Sequence, residues 1–151
     1  MDSTRDVIET LNDLIETCKD GEYGFRASAE QATSGSLKTT LLARADECRV
    51  AAEQLSAHVI QLGGKPEDGG SALGAVHRGW VAMRAKLSTY DDLAVLEECE
   101  RGEDAALASY REALERELPA PLHNLVELQY AGVKRNHDQI RRLRNTLRDA
   151  A

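Results

Sequence analysis

The sequence is poor in aromatic residues, with one Phe, one Trp and four Tyr among 151 positions, and it has only three prolines. Beside abundant Ala, Leu, Glu and Arg, both scarcities argue against strands and favour an all-α protein. No apolar run approaches the roughly 18 residues that cross a bilayer, so no membrane-spanning helix is expected. The start, Met-Asp-Ser-Thr-Arg-Asp, has neither the basic nor the apolar region of a signal peptide. A cytoplasmic protein is expected. Cysteine is scarce and odd in number: Cys18, Cys48 and Cys99 show no C-x-x-C spacing. They are expected as reduced thiols filling small core positions, not as a disulfide framework or a redox pair.

The chain is rich in charge, at 30%, and its net charge is −7. That charge is uneven. From Pro119 onward six Lys and Arg face three acidic residues, which leaves −10 for the preceding part. A basic last helix beside an acidic body offers no long basic surface, so nucleic acid is not the expected partner. Cations toward a helix C-terminus complement its dipole instead. Residues 1–151 are expected to form one domain.

Helical periodicity divides the chain into helices at about 4–33, 37–62, 72–87, 90–117 and 120–148. The first, capped by Ser3 or Thr4, turns Val7, Leu11, Leu14, Ile15, Cys18, Phe25, Ala29 and Ala32 inward. Glu22 completes the period between Cys18 and Phe25, and Gly21 and Gly24 flank it although each costs a helix up to about 1 kcal/mol. Ser34-Gly35-Ser36 is a short turn that sends the second helix back antiparallel. That helix buries Leu37, Leu41, Cys48, Ala52, Leu55, Val59 and Leu62, with Glu47 at the border of the stripe and Leu42, Val50 and Ile60 on a second strip. After the loop Gly63–Gly70 comes a short crossover helix carrying His77 and Trp80, in which His77 is expected at the surface beside a docking tryptophan. The next helix begins near Ser88-Thr89, with Asp91-Asp92 in its first turn, and its stripe is Leu93, Leu96 or Glu97, Glu100, Glu103 or Asp104, Leu107, Tyr110 and Leu114. Pro119 and Pro121 open the last helix, which buries Leu122, Val126, Tyr130, Val133, His137, Ile140, Leu143 and Leu147.

Distances from the turns place these polar core residues at one height. Glu22 and Glu47 lie about equally far from the first turn, and Glu100 and His137 equally far from the Leu118–Pro119 turn, at about 1.5 Å per residue. If the crossover travels the bundle, the third long helix runs parallel to the second and Glu100 joins the same layer. Inward carboxylates and histidines on four facing helices are the donor set of a metal site, suited to iron or manganese.

Several stretches carry a family resemblance. They are Leu11 to Gly21, Gly24-Phe25-Arg26, Leu62-Gly63-Gly64, His77-Arg78-Gly79-Trp80, Glu97 to Asp104 and His137 to Arg144. Together they resemble an uncharacterised family of bacterial four-helix-bundle proteins placed among the ferritin-like, rubrerythrin-related folds. The resemblance implies an up-down four-helix bundle with a long crossover, and it brings no established activity. The di-iron pattern of ferritin-like proteins, one Glu on each odd helix and Glu-x-x-His on each even one, matches Glu22, Glu47, Glu100 and His137, with Glu103 as an added carboxylate. The sequence departs from that pattern twice: the second helix has Val50 where a histidine is expected, and the last has Lys134 in place of a glutamate. Two outcomes stay open. Either Glu22, Glu47, Glu100, Glu103 and His137 bind iron or manganese in oxidative or metal stress, or the layer is a metal-free network of a non-catalytic interaction or stress protein, its carboxylates paired with Arg26 and Lys134. The second apolar strip of helix two is expected either to form a homodimer interface or to be covered by the crossover helix with Trp80. No motif identifies a small-molecule substrate.

Overall fold

Ser3 opens the first helix, α1 (Thr4–Gln31), with a capping box: its hydroxyl accepts from the Asp6 amide and the Asp6 carboxylate accepts from the Ser3 amide, which satisfies two donors that a helix start leaves free. The computed structural model describes residues 3–69 and 91–150. Ser34 caps α2 (Gly35–Gln61), Asp91 caps α3 (Asp92–Glu115), and α4 spans Ala120–Ala150. These four helices and no strand are present among the described residues. The expected crossover helix at 72–87, with His77 and Trp80, lies outside them, as does the Ser88-Thr89 start signal.

Asp92 fixes how the two hairpins meet. Its carboxylate accepts from the amides of Thr33 and Ser34 and from the Thr33 hydroxyl, at 2.7–3.2 Å. At the opposite end, Arg116 donates to Thr10 and Asp13. The start of α3 therefore sits at the end of α1, and α3 runs antiparallel to α1 and parallel to α2. α1 packs on α2 and α3, and α3 packs on α4. The far end of α2 is closed by Gly63, whose φ of +85° suits a residue without Cβ, and by Gly64, where a Cβ would lie 2.9 Å from Ile8.

The inward stripes of α1 and α2 are those expected from periodicity, apart from Leu62, which is half-buried. On α3 the buried stripe is turned slightly from expectation. Val95, Cys99 and Ala113 are buried, whereas Leu93 and Leu114 are only partly so. On α4, Tyr130 and Leu143 are half-buried and Leu147 is 38% exposed. The apolar interior falls into two clusters. One holds Leu11, Cys18, Leu107 and Val133, and the other holds Phe25, Leu41, Cys99 and Ile140. On α1, α3 and α4 the interval between them is where Glu22, Glu100, Glu103 and His137 stand, whereas on α2 Arg44 and Glu47 lie within the span of the second cluster.

Candidate functional site

Glu103, in that interval on α3, forms a buried ion pair with Arg44. Arg44 of α2 is buried, and its Nε donates to Glu103 Oε1 at 2.7 Å while Nη2 donates to Oε2 at 3.3 Å. Glu103, from α3, is only 1% exposed. The fork of the guanidinium matches both carboxylate oxygens, the geometry in which a buried pair best offsets its loss of hydration. The Phe25 ring lies 5.5 Å from the guanidinium carbon, and Nη1 reaches Glu47 at 3.4 Å. Burial acts to lower the Arg44 pKa, but Cys48, Glu103 and Glu47 outweigh it and hold the group above its ordinary value. Arg44 is charged at any ordinary pH.

The expected ligands take different positions. Glu22 is partly buried and pairs with Arg26 one turn along α1. Glu47 is exposed and accepts from Asn136 Nδ2 at 2.8 Å. Glu103 faces Arg44 rather than Lys134, which is exposed with its ammonium 4.4 Å from the Tyr130 ring centroid. Glu100 and His137 do come together. His137 is buried, and its Nε2 lies 2.6 Å from Asp104 Oδ1. Glu100 is held by Arg144 and, at 3.5 Å, by Arg141. One donor atom each from Glu100, Asp104 and His137 fall within 4.8 Å of one another.

The two arrangements differ as metal sites. A dinuclear centre needs the carboxylates of all four helices turned to a common point. Glu103 is engaged on both oxygens by a guanidinium and Glu22 is turned to Arg26, so the five residues do not fit such a centre. Glu100, Asp104 and His137 bring two hard oxygens and one imidazole nitrogen together, a donor set for a single divalent cation, with Arg141 and Arg144 now holding the two Glu100 oxygens.

Beside the ion pair lies a cavity of about 1100 Å³, walled by all four helices. Cys18, Cys48 and Cys99 all line it, and all three are free and buried. Burial pushes the thiols of Cys48 and Cys99 up to about 12 and raises Cys18 as well. They are packing groups, not nucleophiles. A hydrogen-bond chain crosses the bundle here: the Cys18 sulfur is 3.2 Å from the Tyr110 hydroxyl, which donates to Gln129 Oε1 at 2.9 Å, and Gln129 Nε2 donates to Gln54 Oε1 at 3.0 Å. Gly21 sits where a Cβ would come within 2.9 Å of Cys48 Sγ, so the close approach of α1 to α2 explains it. At Gly24 and Gly102 an added Cβ would meet nothing within 4 Å.

Sequence reasoning missed Arg44 at this site and Asp20 on the cavity wall, and it placed Asp104 on the inward stripe beside Glu103 without naming it a ligand. Arg44 carried a signal, because it stands three residues after Leu41 and four before Cys48, on the inward stripe. Arginine ordinarily marks the solvent face, and that prior hid it.

Comparison with known proteins agrees with this architecture. Among solved structures, a mutant of Mycobacterium smegmatis Dps1 superposes with a TM-score of 0.76 at 14% identity, over 93% of this chain and 96% of that one. A two-domain protein of Anabaena variabilis with DJ-1/ThiJ/PfpI-like and ferritin-like domains gives a TM-score of 0.79 at 12% identity, over 99% of this chain and 39% of that one. At these identities the likeness concerns the fold alone. No curated protein matches the chain. Residues 6–116 match the family model described as a domain of unknown function, DUF2383. The chain belongs to that family, and the family's fold here is the ferritin-like four-helix bundle.

Proposed function

We propose that this protein is a non-catalytic ferritin-like bundle in which a built-in cation, Arg44, takes the place of a dinuclear metal centre. The observation that carries this reading is the two-point pairing of Arg44 with Glu103 in the middle of the bundle. A guanidinium there neutralises the carboxylate that a metal would otherwise need. The pairing of Glu22 with Arg26 supports the same reading. Metal analysis of protein purified after growth with iron or manganese, followed by titration with Fe(II) and Mn(II), tests it. Two equivalents per chain, lost on Glu103→Gln, would overturn it.

A second reading rests on the convergence of Glu100, Asp104 and His137. These residues would hold one iron or manganese ion, linking the protein to metal or oxidative stress. A bound ion would supply Lewis acidity there. His137 Nε2 would give up its proton and Arg144 would yield Glu100 to the ion. One equivalent in the same titration, lost in both Asp104→Asn and His137→Gln, supports this reading; none refutes it.

Three of the six basic residues of α4 point to partners on α3: Arg141 and Arg144 to Glu100, and Arg148 to Glu97 at 3.6 Å. This supports a bundle that does not bind nucleic acid. No helix among the described residues is long and apolar enough to cross a membrane. Leu42, Val50 and Ile60 are 51%, 39% and 63% exposed on α2, which supports self-association through that face. Sedimentation of the native chain and of Ile60→Asp measures it: a dimer reduced to monomer by the substitution is the expected result.

A further inference from the structure

Two arginine–glutamate pairs join helices at buried carboxylates, and they are built differently. Arg44 meets both oxygens of Glu103. Glu100 is held by Arg144 through Nη1 alone, with Arg141 Nε 3.5 Å from its other oxygen. The Nη2 of Arg144 donates to Asn145 Oδ1, and its Nε is buried with no hydrogen-bond partner among the described residues. A buried donor left unpaired is a cost that the fork of Arg44 does not carry. Arg141 is exposed and Arg144 partly so, whereas Arg44 is buried. The Arg44–Glu103 pair is a fixture; the grip of Arg144 on Glu100 is loose enough to exchange.

The exchangeable pair stands at the donor group. On α4, His137, Arg141, Arg144 and Arg148 follow one another at intervals of three or four residues and so share a face. Across the seam α3 answers them in antiparallel order, Asp104 at His137, Glu100 at Arg141 and Arg144, and Glu97 at Arg148. Glu100 therefore has two claimants. The guanidiniums hold it from one side, and on the other are Asp104 and His137, which each bring a donor atom within 4.8 Å of one of its own. A divalent cation in that group competes with Arg144 for the same carboxylate, since two positive charges on one carboxylate repel each other. Once released, Arg144 has Glu97 one turn away along α3, an exposed carboxylate that Arg148 approaches only to 3.6 Å.

We propose that Arg144, with Arg141, is a latch on this cation site: by occupying Glu100 it sets how tightly Glu100, Asp104 and His137 hold a divalent ion. The latch rests on the reading of those three residues as a donor set. Titration of the full chain with Mn(II), with the free ion followed by electron paramagnetic resonance, tests both. Arg144→Gln is expected to tighten Mn(II) about tenfold or more, the worth of one charge-assisted hydrogen bond. Arg141→Gln is expected to tighten it by less, and it carries the test if Arg144→Gln loses helix content. Arg148→Gln removes the same charge from an exposed pair and frees no ligand, so it is expected to change the affinity by less than about threefold. One equivalent bound only when Arg144 is replaced, and lost again when Asp104→Asn is added, also supports the latch. Equal affinity in the native chain and the Arg144 or Arg141 variant, or an equal gain in Arg148→Gln, overturns the latch and leaves the donor set standing. No binding by any of these proteins at millimolar Mn(II) overturns the donor set and the latch with it.

Discussion

Arg44 Nε donates to Glu103 Oε1 across 2.7 Å and so joins α2 to α3 through the interior of the bundle. α1 packs against both of these helices, and the pair ties together the two sides that α1 separates. Its acidic member stands where the two apolar clusters part on α3, and its basic member within the second cluster on α2. Neither member has bulk water at hand to replace its partner, which makes the pair an obligate unit.

Removing one member is accordingly worse than removing both. Glu103→Ala or Arg44→Ala is expected to destabilise the fold by about 3–5 kcal/mol, because each leaves a buried charge alone. The double substitution Arg44→Met with Glu103→Met is expected to recover most of that loss. Urea unfolding of the four proteins measures the coupling. Additive losses would show that the two residues act independently.

The two glycines that flank Glu22 are expected to respond differently. At Gly24 a methyl group meets open space, so Gly24→Ala is expected to gain helix propensity, about 0.5–1 kcal/mol. At Gly21 the same methyl group meets Cys48 Sγ at 2.9 Å, and the sulfur must move. Overpacking of this kind costs roughly 1–3 kcal/mol. Thermal melts are expected to rank Gly24→Ala above Gly21→Ala by about 1 kcal/mol or more.

Asp20 gives stability a pH dependence of its own. Its carboxyl rises from 3.8 to about 6 in the folded chain, chiefly through lost hydration. The folded form holds this proton more tightly than the unfolded form, so Asp20 weighs against folding as the pH rises from about 4 through about 6. Asp20→Asn is expected to stabilise the protein near neutral pH, on the order of 1 kcal/mol once solvent screening of this half-exposed group is allowed for. The advantage is expected to vanish below about pH 4. Melting curves of both proteins across that range check the sign.

Asp92 carries the junction between the hairpins. It accepts three hydrogen bonds from Thr33 and Ser34, two of them from backbone amides at the end of α1 and the cap of α2. Asp92→Ala is expected to cost about 1–2 kcal/mol, in the range of a lost helix cap. Hydrogen exchange is expected to quicken first at the Thr33 and Ser34 amides. If exchange there stays at the native rate, the carboxylate is not what protects them.

The sequence by itself determined the helices. Apolar residues spaced at 3.6 fall on one face whatever surrounds them, and Ser3 and Ser34 cap because their side chains reach amides three residues away, while Asp91, expected in the first turn, is itself the cap of α3. It also determined that Glu103 and His137 lie inside, since they stand in stripes that are otherwise oily. Which group answers each of them was decided only by tertiary structure. Lys134 and Arg44 are equally cationic on paper, but the turn of α4 carries Lys134 outward over Tyr130, while α2 carries Arg44 inward onto Glu103. The expected common height of Glu22, Glu47, Glu100 and His137 is a matter of axial rise. Whether their donor atoms converge depends on helix rotation and on rotamers, and each glutamate turns to the nearest guanidinium, Arg26 for Glu22 and Arg144 for Glu100. Spacing along a chain constrains the backbone. Pairing between charges is a property of distances across it, and those exist only once the helices have packed.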